Sequence, residues 1–259
     1  MSKISMAFIA LVLLPSLSVA DDIVLKDGKR ITWKTLTDDG TSYSVETVDG
    51  KKLTVKKSQV ERITVGAQAA NTQPLTGASF AVDPKKVVTV DLLPKAKTEA
   101  TKGAWVAQPG MLSNTGENTS RVTVFFDHEI SGDYDMTLRV ERVSGKGGLD
   151  VGLTYDGFAG AYFFDAFDSA SSMFGMVDDD WIGSVKGNVF QAGKPRTVKI
   201  SVRKDAVLVQ VDGKDYWKSR VDWKTITLHK DLKAEPGKLF LTSYGGGWKV
   251  SVCSLTHAK

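Results

Sequence analysis

The chain has 259 residues, of which 25% are charged and 42% hydrophobic, and its formal net charge is +4. This length is enough for one large domain and a small one, each with its own core. Lys51, Lys52, Lys56 and Lys57 form a local basic stretch, but elsewhere lysines and arginines alternate with aspartates. This pattern favours an ordinary solvated face over the basic footprint of a nucleic-acid site, so no nucleic-acid partner is predicted. Cys253 is the only cysteine, so no disulfide within the chain can stabilise the fold.

Residues 1–20 have the three regions of a secretory signal: Met-Ser-Lys, an apolar run from Met6 to Leu14, and the small-residue stretch Ser16 to Ala20. The apolar run is much shorter than the ~20 residues that span a bilayer, so a membrane anchor is the weaker interpretation and no transmembrane segment is expected. We expect cleavage after Ala20 and a periplasmic or secreted location. Loss of Lys3, the only charged side chain of the signal, would change the formal net charge from +4 to +3.

Residues 21–65 predict a small β-barrel domain. Asp-Gly pairs that begin at Asp27, Asp39 and Asp49 separate short alternating runs, and glycine adopts the positive φ that hairpin turns need. The predicted strands are Ile23–Leu25, Arg30–Leu36, Ser42–Val48, Lys51–Val55 and Val60–Val65. A strand ending in Lys-Asp-Gly, a long strand, a hairpin and a final Val-Glu-Arg-Ile strand together resemble the small Sm-like or SH3-like barrels of exported bacterial proteins. That resemblance implies binding or assembly.

Residues 66–84 are rich in Ala, Gly, Thr and Asn and predict a linker, and residues 85–259 predict the main domain. No stretch of this domain has a sustained helical period, whereas short alternating runs are bounded by Gly, Asp, Asn or Pro. Many strands without helices predict an all-β domain of two packed sheets. The predicted strands are Val87–Leu92, Arg121–Phe126, Tyr134–Val143, Leu149–Tyr155, Ala161–Asp165, Thr197–Arg203, Ala206–Val211, Leu239–Ser243 and Trp248–Leu255.

Four segments of the main domain resemble concanavalin A-like and laminin-G-like jelly rolls. They are Gly-Asp-Tyr-Asp at 132–135, Val-Lys-Ile-Ser-Val at 198–202, Val-Gln-Val-Asp-Gly-Lys at 209–214, and Leu-Phe-Leu-Thr-Ser-Tyr-Gly-Gly-Gly-Trp-Lys-Val at 239–250. The likeness is to the domain of unknown function described as 3-keto-disaccharide hydrolase-like in exported bacterial proteins. It implies a two-sheet jelly-roll sandwich, but its motifs are turns and core strands that carry no activity by themselves.

The predicted ligand-binding stretch runs from Tyr155 to Trp181, because it combines an irregular pattern with many aromatic and carboxylate residues. Aromatic faces bind sugars by stacking, while carboxylates hydrogen-bond to hydroxyl groups. The predicted ligand-binding residues are Tyr155, Tyr162, Phe167, Trp181 and Trp248. The alternative is that such aromatics belong to the core, since Tyr162 is followed directly by two phenylalanines.

The chain also carries three adjacent acidic residues, Asp178, Asp179 and Asp180. They are candidates for a calcium site, because calcium prefers several oxygen ligands. Adjacent carboxylates on an extended chain point in opposite directions, so a solvated turn is the competing interpretation. The histidines His128, His229 and His257 have no metal-ligand spacing and are expected on turns or at the surface. Apart from calcium, no cofactor is predicted.

Glycoside hydrolysis needs two carboxyl groups that face each other. Concanavalin-like retaining hydrolases supply them from a Glu-x-Asp-x-x-Glu string, which this chain lacks, so no catalytic residue is predicted. The acids available to a glycosidase or lyase of the 3-keto-disaccharide hydrolase type are Asp150, Asp165, Asp168 and the three adjacent aspartates.

The sequence therefore predicts an exported, non-catalytic binding protein whose sandwich holds a glycan or another exported protein. Two alternatives stay open. One is a glycoside hydrolase or lyase, and the other is a structural or adhesion module.

Overall fold

The structure is a computed structural model that describes residues 22–38, 41–64, 80, 87–101, 104–116, 120–177, 180–232 and 234–258. The predicted signal at 1–20 lies outside the described residues, and of the predicted linker only Phe80 lies within them. In these described ranges, no helix has the length and apolar character needed to cross a bilayer.

One antiparallel sheet of five strands forms the N-terminal part of the described chain. Its strands are Asp22–Leu25 (β1), Arg30–Asp38 (β2), Ser42–Thr47 (β3), Lys52–Lys56 (β4) and Val60–Thr64 (β5), with a 3₁₀ turn at Lys57–Gln59. The strand order is β4-β3-β2-β1-β5. Ile23, Trp33 and Tyr43 belong to a buried cluster that is separate from the main core. The five predicted strands are present, and the likeness to an SH3 or Sm barrel stays a prediction.

The rest of the described chain forms two antiparallel sheets. The strands are Val87–Asp91 (β6), Ala96–Lys97 (β7), Trp105–Gln108 (β8), Met111–Asn114 (β9), Val122–Glu129 (β10), Tyr134–Gly145 (β11), Leu149–Tyr155 (β12), Phe158–Asp165 (β13), Ser171–Val177 (β14), Asp180–Lys186 (β15), Arg196–Arg203 (β16), Ala206–Val211 (β17), Lys214–Arg220 (β18), Lys238–Ser243 (β19) and Gly246–Ala258 (β20). The helical turns are Leu93–Lys95 and Glu99–Thr101, both 3₁₀, and Ala166–Ser169 (α1).

The seven-stranded sheet has the order β15-β14-β13-β12-β19-β10-β7. The eight-stranded sheet has the order β18-β17-β16-β11-β20-β9-β8, and β6 also pairs with β20. The all-β, two-sheet sandwich predicted from the sequence is confirmed.

The facing sides of these two sheets form one apolar core. Met136, Leu138 and Val140 come from β11 of the eight-stranded sheet, and Leu149 and Val151 come from β12 of the seven-stranded sheet. Each aliphatic side chain of this kind contributes about 1.5–3 kcal/mol when fully buried. Successive residues of a strand point to opposite faces, so the residues between these core positions lie on the outer faces.

The outer face of the seven-stranded sheet carries a second apolar cluster. Phe163 of β13 and Phe240 of β19 lie in it, and Leu232 packs onto it from the segment that joins β18 to β19. Gly152 of β12 makes room for one of these rings, because a Cβ there would lie 2.1 Å from a ring carbon of Phe240. The joining segment therefore covers part of this outer face.

The stretch Tyr155–Trp181, expected to be irregular, consists mostly of β13, β14 and the start of β15. Both faces of β13 and β14 are mostly buried. These strands therefore lack the alternation of apolar and polar residues that is typical of a strand with one solvent-exposed face. The irregular part is the α1 turn. Phe167 and Asp168 within it have φ values of 52° and 57°, in the left-handed region that non-glycine residues rarely adopt.

Candidate functional site

A recess on the outer side of the seven-stranded sheet brings charged and aromatic side chains together. The side chains that matter here are Arg121, Asp150, Phe163, Trp181, His229 and Tyr244, and we call this site the Arg121 recess. Its volume is about 30 Å³. A buried water needs roughly 10–15 Å³ on this scale, so the recess has room for about two waters. A ligand would therefore place one or two functional groups in it rather than a whole ring.

Two glycine-containing segments shape the recess. Gly147 and Gly148 precede β12, which carries Asp150, and they run beside Tyr244 and Gly245. The Gly147 N–H donates to the Gly245 carbonyl at 3.0 Å, and the Tyr244 N–H donates to the Gly148 carbonyl at 3.3 Å. A Cβ on Gly147 would lie 1.5 Å from the Tyr244 carbonyl oxygen, so only glycine permits this approach. The glycines thus hold Asp150 and Tyr244 at the same recess.

Arg121 connects two carboxylates. Its Nε lies 3.4 Å from Asp150 Oδ2, and its Nη1 lies 3.5 Å from Asp231 Oδ2. The Asp150 side chain is 6% exposed, whereas the Asp231 side chain is 43% exposed. The guanidinium therefore extends from a buried acid to an exposed one.

Burial raises the pKa of Asp150 from 3.8 to about 6. The positive charge and hydrogen bond of Arg121 oppose this rise but do not cancel it. A fraction of Asp150 is therefore protonated near neutral pH, and in that form the carboxyl group donates as well as accepts hydrogen bonds.

Trp181 forms an aromatic wall of the recess. Its ring centroid lies 6.1 Å from that of His229 with 9° between the planes, and 4.8 Å from that of Phe163 in an edge-to-face contact. Tyr244 contributes another ring, whose centroid lies 5.5 Å from Arg121 Cζ. Fixed rings beside fixed hydrogen-bonding groups are suited to a ligand that has both hydroxyl groups and an apolar C–H surface.

Two of the predicted ligand-binding aromatics line the recess. Phe167 and Trp181 both lie in its wall. Tyr155 lies elsewhere, where its ring stacks on Trp223 at a centroid distance of 5.8 Å. The stretch that was singled out therefore contributes to the recess, but not through all of its aromatic residues.

Tyr162 and Trp248 are fully buried in the core between the sheets, which differs from the expectation that they face a ligand. On β13, Tyr162 points into the sandwich and its neighbour Phe163 points outwards, because the strand alternates between two apolar faces. Trp248 packs edge-to-face on Phe190 at 5.4 Å within the same core. Tyr162 and Trp248 therefore pack in the core and do not line the recess.

The acids considered for catalysis have different roles. Asp150 lies in the Arg121 recess and Asp168 lines it. Asp165 is fully buried and accepts hydrogen bonds from the Val189 N–H at 2.6 Å and the Phe190 N–H at 2.9 Å. It also forms an ion pair with Arg142 at 2.7 Å. Burial raises the pKa of Asp165, and the hydrogen bonds and the ion pair oppose the rise. Asp165 directly precedes α1, so the same contacts hold the start of the left-handed turn in place.

Among the residues that the structure describes, no group of three or more His, Cys, Asp and Glu side chains could hold a metal ion. Of the proposed calcium ligands, Asp178 and Asp179 lie outside the described residues. Asp180 is the first residue of β15, and nothing is described of its side chain. Calcium binding at these aspartates therefore stays a prediction.

Three residues that line the recess were not predicted to bind a ligand: Arg121, His229 and Tyr244. The same is true of Asp231, which contacts Arg121. His229 was expected on a turn or at the surface, but it is only 7% exposed because it packs against Trp181. Strand pairing brings Arg121 to Asp150, since Thr242 of β19 lies opposite both Thr123 and Asp150. Such pairing of distant strands leaves no local signal in the sequence.

Three comparisons with known proteins were informative to different degrees. No protein-family model matches the chain, and no curated protein is similar enough to match it. Solved structures do resemble it. The carbohydrate-binding module CBM66 from Bacillus subtilis has a TM-score of 0.44 and 10% identity, over 64% of this chain and 91% of that chain.

Two further solved structures show a likeness of the same size. The exoplasmic/lumenal domain of VIP36, bound to Ca²⁺ and Man3GlcNAc, has a TM-score of 0.47 and 9% identity, over 68% of this chain and 89% of that chain. The Crh5 transglycosylase in complex with NAG has a TM-score of 0.46 and 13% identity, over 67% of this chain and 84% of that chain. Because these scores are low, the function proposed below rests on the residues of the Arg121 recess.

Proposed function

We infer that this chain is an exported binding protein and that the Arg121 recess binds a saccharide. The observation that carries this proposal is the guanidinium of Arg121, held between the carboxylates of Asp150 and Asp231. The rings of Trp181 and Tyr244 lie beside it. Neighbouring sugar hydroxyls can accept hydrogen bonds from a guanidinium and donate to a carboxylate at the same time.

The size of the recess defines how a saccharide would bind. A volume of about 30 Å³ accepts one or two hydroxyl groups. The ring that carries them would remain at the mouth, with its C–H surface against Trp181. This mode favours the end of a glycan chain, or an exposed pair of neighbouring hydroxyls, over the middle of a tightly packed polymer.

A binding experiment tests this proposal. The wild-type protein and the variant Trp181→Ala are applied to an array of plant, fungal and bacterial glycans. Phe158→Ala is the matched control, because Phe158 is a 41% exposed aromatic of the same sheet that does not line the recess. We expect a defined set of glycans to bind the wild type and the control, and to bind Trp181→Ala at least about tenfold more weakly. Equal binding by all three proteins removes the recess from the proposal.

A glycoside hydrolase or lyase is the second candidate, and one observation favours it. A carboxyl group with a pKa of about 6 is suited to act as a general acid near neutral pH, and Asp150 has such a pKa. Against this, Asp150 and Asp231 contact the same guanidinium instead of facing each other across open space for a glycosidic bond. The enzyme would be supported if the wild-type protein released reducing ends from a glycan that it binds on the array and Asp150→Asn did not.

Export is the remaining part of the proposal. It is supported by the apolar run and the small residues that end at Ala20.

A further inference from the structure

A larger cavity lies between the N-terminal sheet and the sandwich. Its volume is about 410 Å³, within the roughly 300–1,000 Å³ that is usual for small-molecule sites. The N-terminal sheet supplies Tyr43, Lys57 and Glu61 to its wall, and the sandwich supplies Lys146, Phe167 and Asp168. We call this site the interface cavity.

Specific polar contacts join the two parts of the chain at this cavity. The Tyr43 hydroxyl donates to Asp168 Oδ2 at 2.9 Å, and Lys57 Nζ lies 3.9 Å from Asp168 Oδ1. Lys57 Nζ also donates to the Tyr244 hydroxyl at 3.5 Å and lies 5.1 Å and 5.2 Å from the ring centroids of Tyr43 and Tyr244. These contacts fix the side chains that a ligand would meet, which lowers the entropy cost of binding.

The interface cavity and the Arg121 recess share a wall. Phe167 and Asp168, in the left-handed α1 turn, line both sites. The Phe167 ring lies 6.3 Å from Trp33 of the N-terminal sheet and 6.3 Å from Trp181 of the recess. Tyr244, a wall of the recess, is reached by Lys57 from the cavity. A ligand held in the recess that continues past this turn would therefore enter the interface cavity.

The charges of the interface cavity indicate what it accepts. Two cations, Lys57 and Lys146, are balanced by two carboxylates, Glu61 and Asp168. A polyanion would be repelled by the two carboxylates at close range. An apolar ligand would displace water from all four charged groups without replacing the hydrogen bonds of that water, which is unfavourable. Hydroxyl groups both donate and accept, so a neutral, hydroxyl-rich ligand satisfies both kinds of side chain.

We propose that the N-terminal sheet supplies a second saccharide-binding subsite, so that a neutral oligosaccharide binds across both parts of the chain, with one end in the Arg121 recess and the next units in the interface cavity. This inference rests on the proposed function of the recess. It assigns to the N-terminal sheet a direct contact with ligand, and it makes affinity depend on oligosaccharide length.

Calorimetric titration with neutral β-glucan, xylan and mannan oligosaccharides of one to six units tests the proposal. The proteins are the wild type, Glu61→Gln and Lys57→Gln, and Lys52→Gln is the control because Lys52 is an exposed lysine of β4 that does not line the cavity. For the wild type we expect affinity to rise with length within the series that binds. The loss of a charged hydrogen-bond partner should weaken binding of the longest members about five- to tenfold and leave the shortest members unchanged.

Because Lys57 also joins the two parts of the chain, Glu61→Gln is the decisive variant: Glu61 is an exposed side chain, and its replacement is not expected to alter the fold. The proposal is overturned if Glu61→Gln binds every length as the wild type does while Trp181→Ala, titrated in the same series, loses binding, since the recess then acts alone. If no oligosaccharide of any length binds the wild type, the proposed function fails and this inference fails with it.

Discussion

Asp150→Asn is expected to make the fold more stable at neutral pH although it removes a buried ion-pair partner. The Asp150 side chain is 6% exposed, and its pKa rises from 3.8 to about 6. One pKa unit corresponds to about 1.4 kcal/mol, so ionisation of the folded protein costs about 3 kcal/mol more than ionisation of the unfolded chain. Asparagine resembles the neutral carboxyl group in shape and does not carry this cost.

The pH dependence has a defined direction. Between about pH 4 and pH 6 the folded protein binds the Asp150 proton more tightly than the unfolded chain does, so this group's contribution to the free energy of unfolding falls as the pH rises through that window. At pH 7.5 the aspartate is ionised in both states and the full cost is present. The variant should therefore exceed the wild type by about 1–3 kcal/mol at pH 7.5 and match it near pH 4.

Urea denaturation of both proteins at several pH values between 4 and 7.5 measures this difference, because titration of all other acids cancels in the comparison. If Asp150→Asn is less stable than the wild type at pH 7.5 by more than about 1 kcal/mol, the ion pair with Arg121 outweighs burial and the pKa of Asp150 is not raised. A residue that lowers stability at neutral pH and lines a recess is a candidate for function, so saccharide binding should weaken in the same variant.

Three further predictions concern the support of the site and the location of the protein. Asp165→Asn should lower the free energy of unfolding by about 3–5 kcal/mol in urea denaturation: unlike Asp150, Asp165 accepts hydrogen bonds from backbone N–H groups and Arg142 with both oxygens, and an amide NH₂ in place of either oxygen would face a buried donor. Asp205→Asn, at an exposed ion pair, should change it by less than about 1 kcal/mol. Gly147→Ala should cost at least about 1–3 kcal/mol and weaken glycan binding, because its Cβ would overlap the Tyr244 backbone; a variant as stable as the wild type contradicts this packing. Mass spectrometry of the protein from the extracellular or periplasmic fraction should give a chain that begins directly after Ala20, and a full-length chain confined to the cytoplasm contradicts export.

Hairpins and core strands could be predicted from the sequence because their signals are local. Val198, Ile200 and Val202 alternate with polar residues before the Lys204-Asp205 turn, and β16 and β17 form there as expected. Of β13 the sequence predicts only the part Ala161–Asp165, and it does not predict β14, since burial on both faces removes the alternation. The two-sheet architecture could be predicted from the many short alternating segments, because it does not depend on the exact limits of each strand.

The recess could be predicted only in part. Phe167 and Trp181 stood out because aromatic residues are dense in that stretch, and both line the recess. Its charged centre depends on contacts between Arg121 and acids that are 29 and 110 residues away in sequence. No local pattern encodes a contact of that kind, because it arises only when separate strands and the joining segment meet in the folded sheet.

The left-handed α1 turn could not be predicted either. Phe167 and Asp168 are not glycines, and nothing in their sequence requires a positive φ. Tertiary contacts impose it: Asp165 is anchored by Arg142 before the turn, and the Phe167 ring packs between Trp33 and Trp181. The conformation of the turn is a property of the assembled molecule.

Contact between a saccharide and the Arg121 recess can be observed through the indole N–H signals of the six tryptophans in a ¹⁵N-labelled protein. The protein is titrated with a glycan that it binds on the array, and the titration is followed by heteronuclear NMR. The variant Trp181→Phe assigns the Trp181 indole signal. We predict that the Trp181 signal shifts most, while those of the core residues Trp105 and Trp248 stay in place. A saturable titration in which the Trp181 signal does not move would place the ligand elsewhere on the protein and contradict saccharide binding in the Arg121 recess.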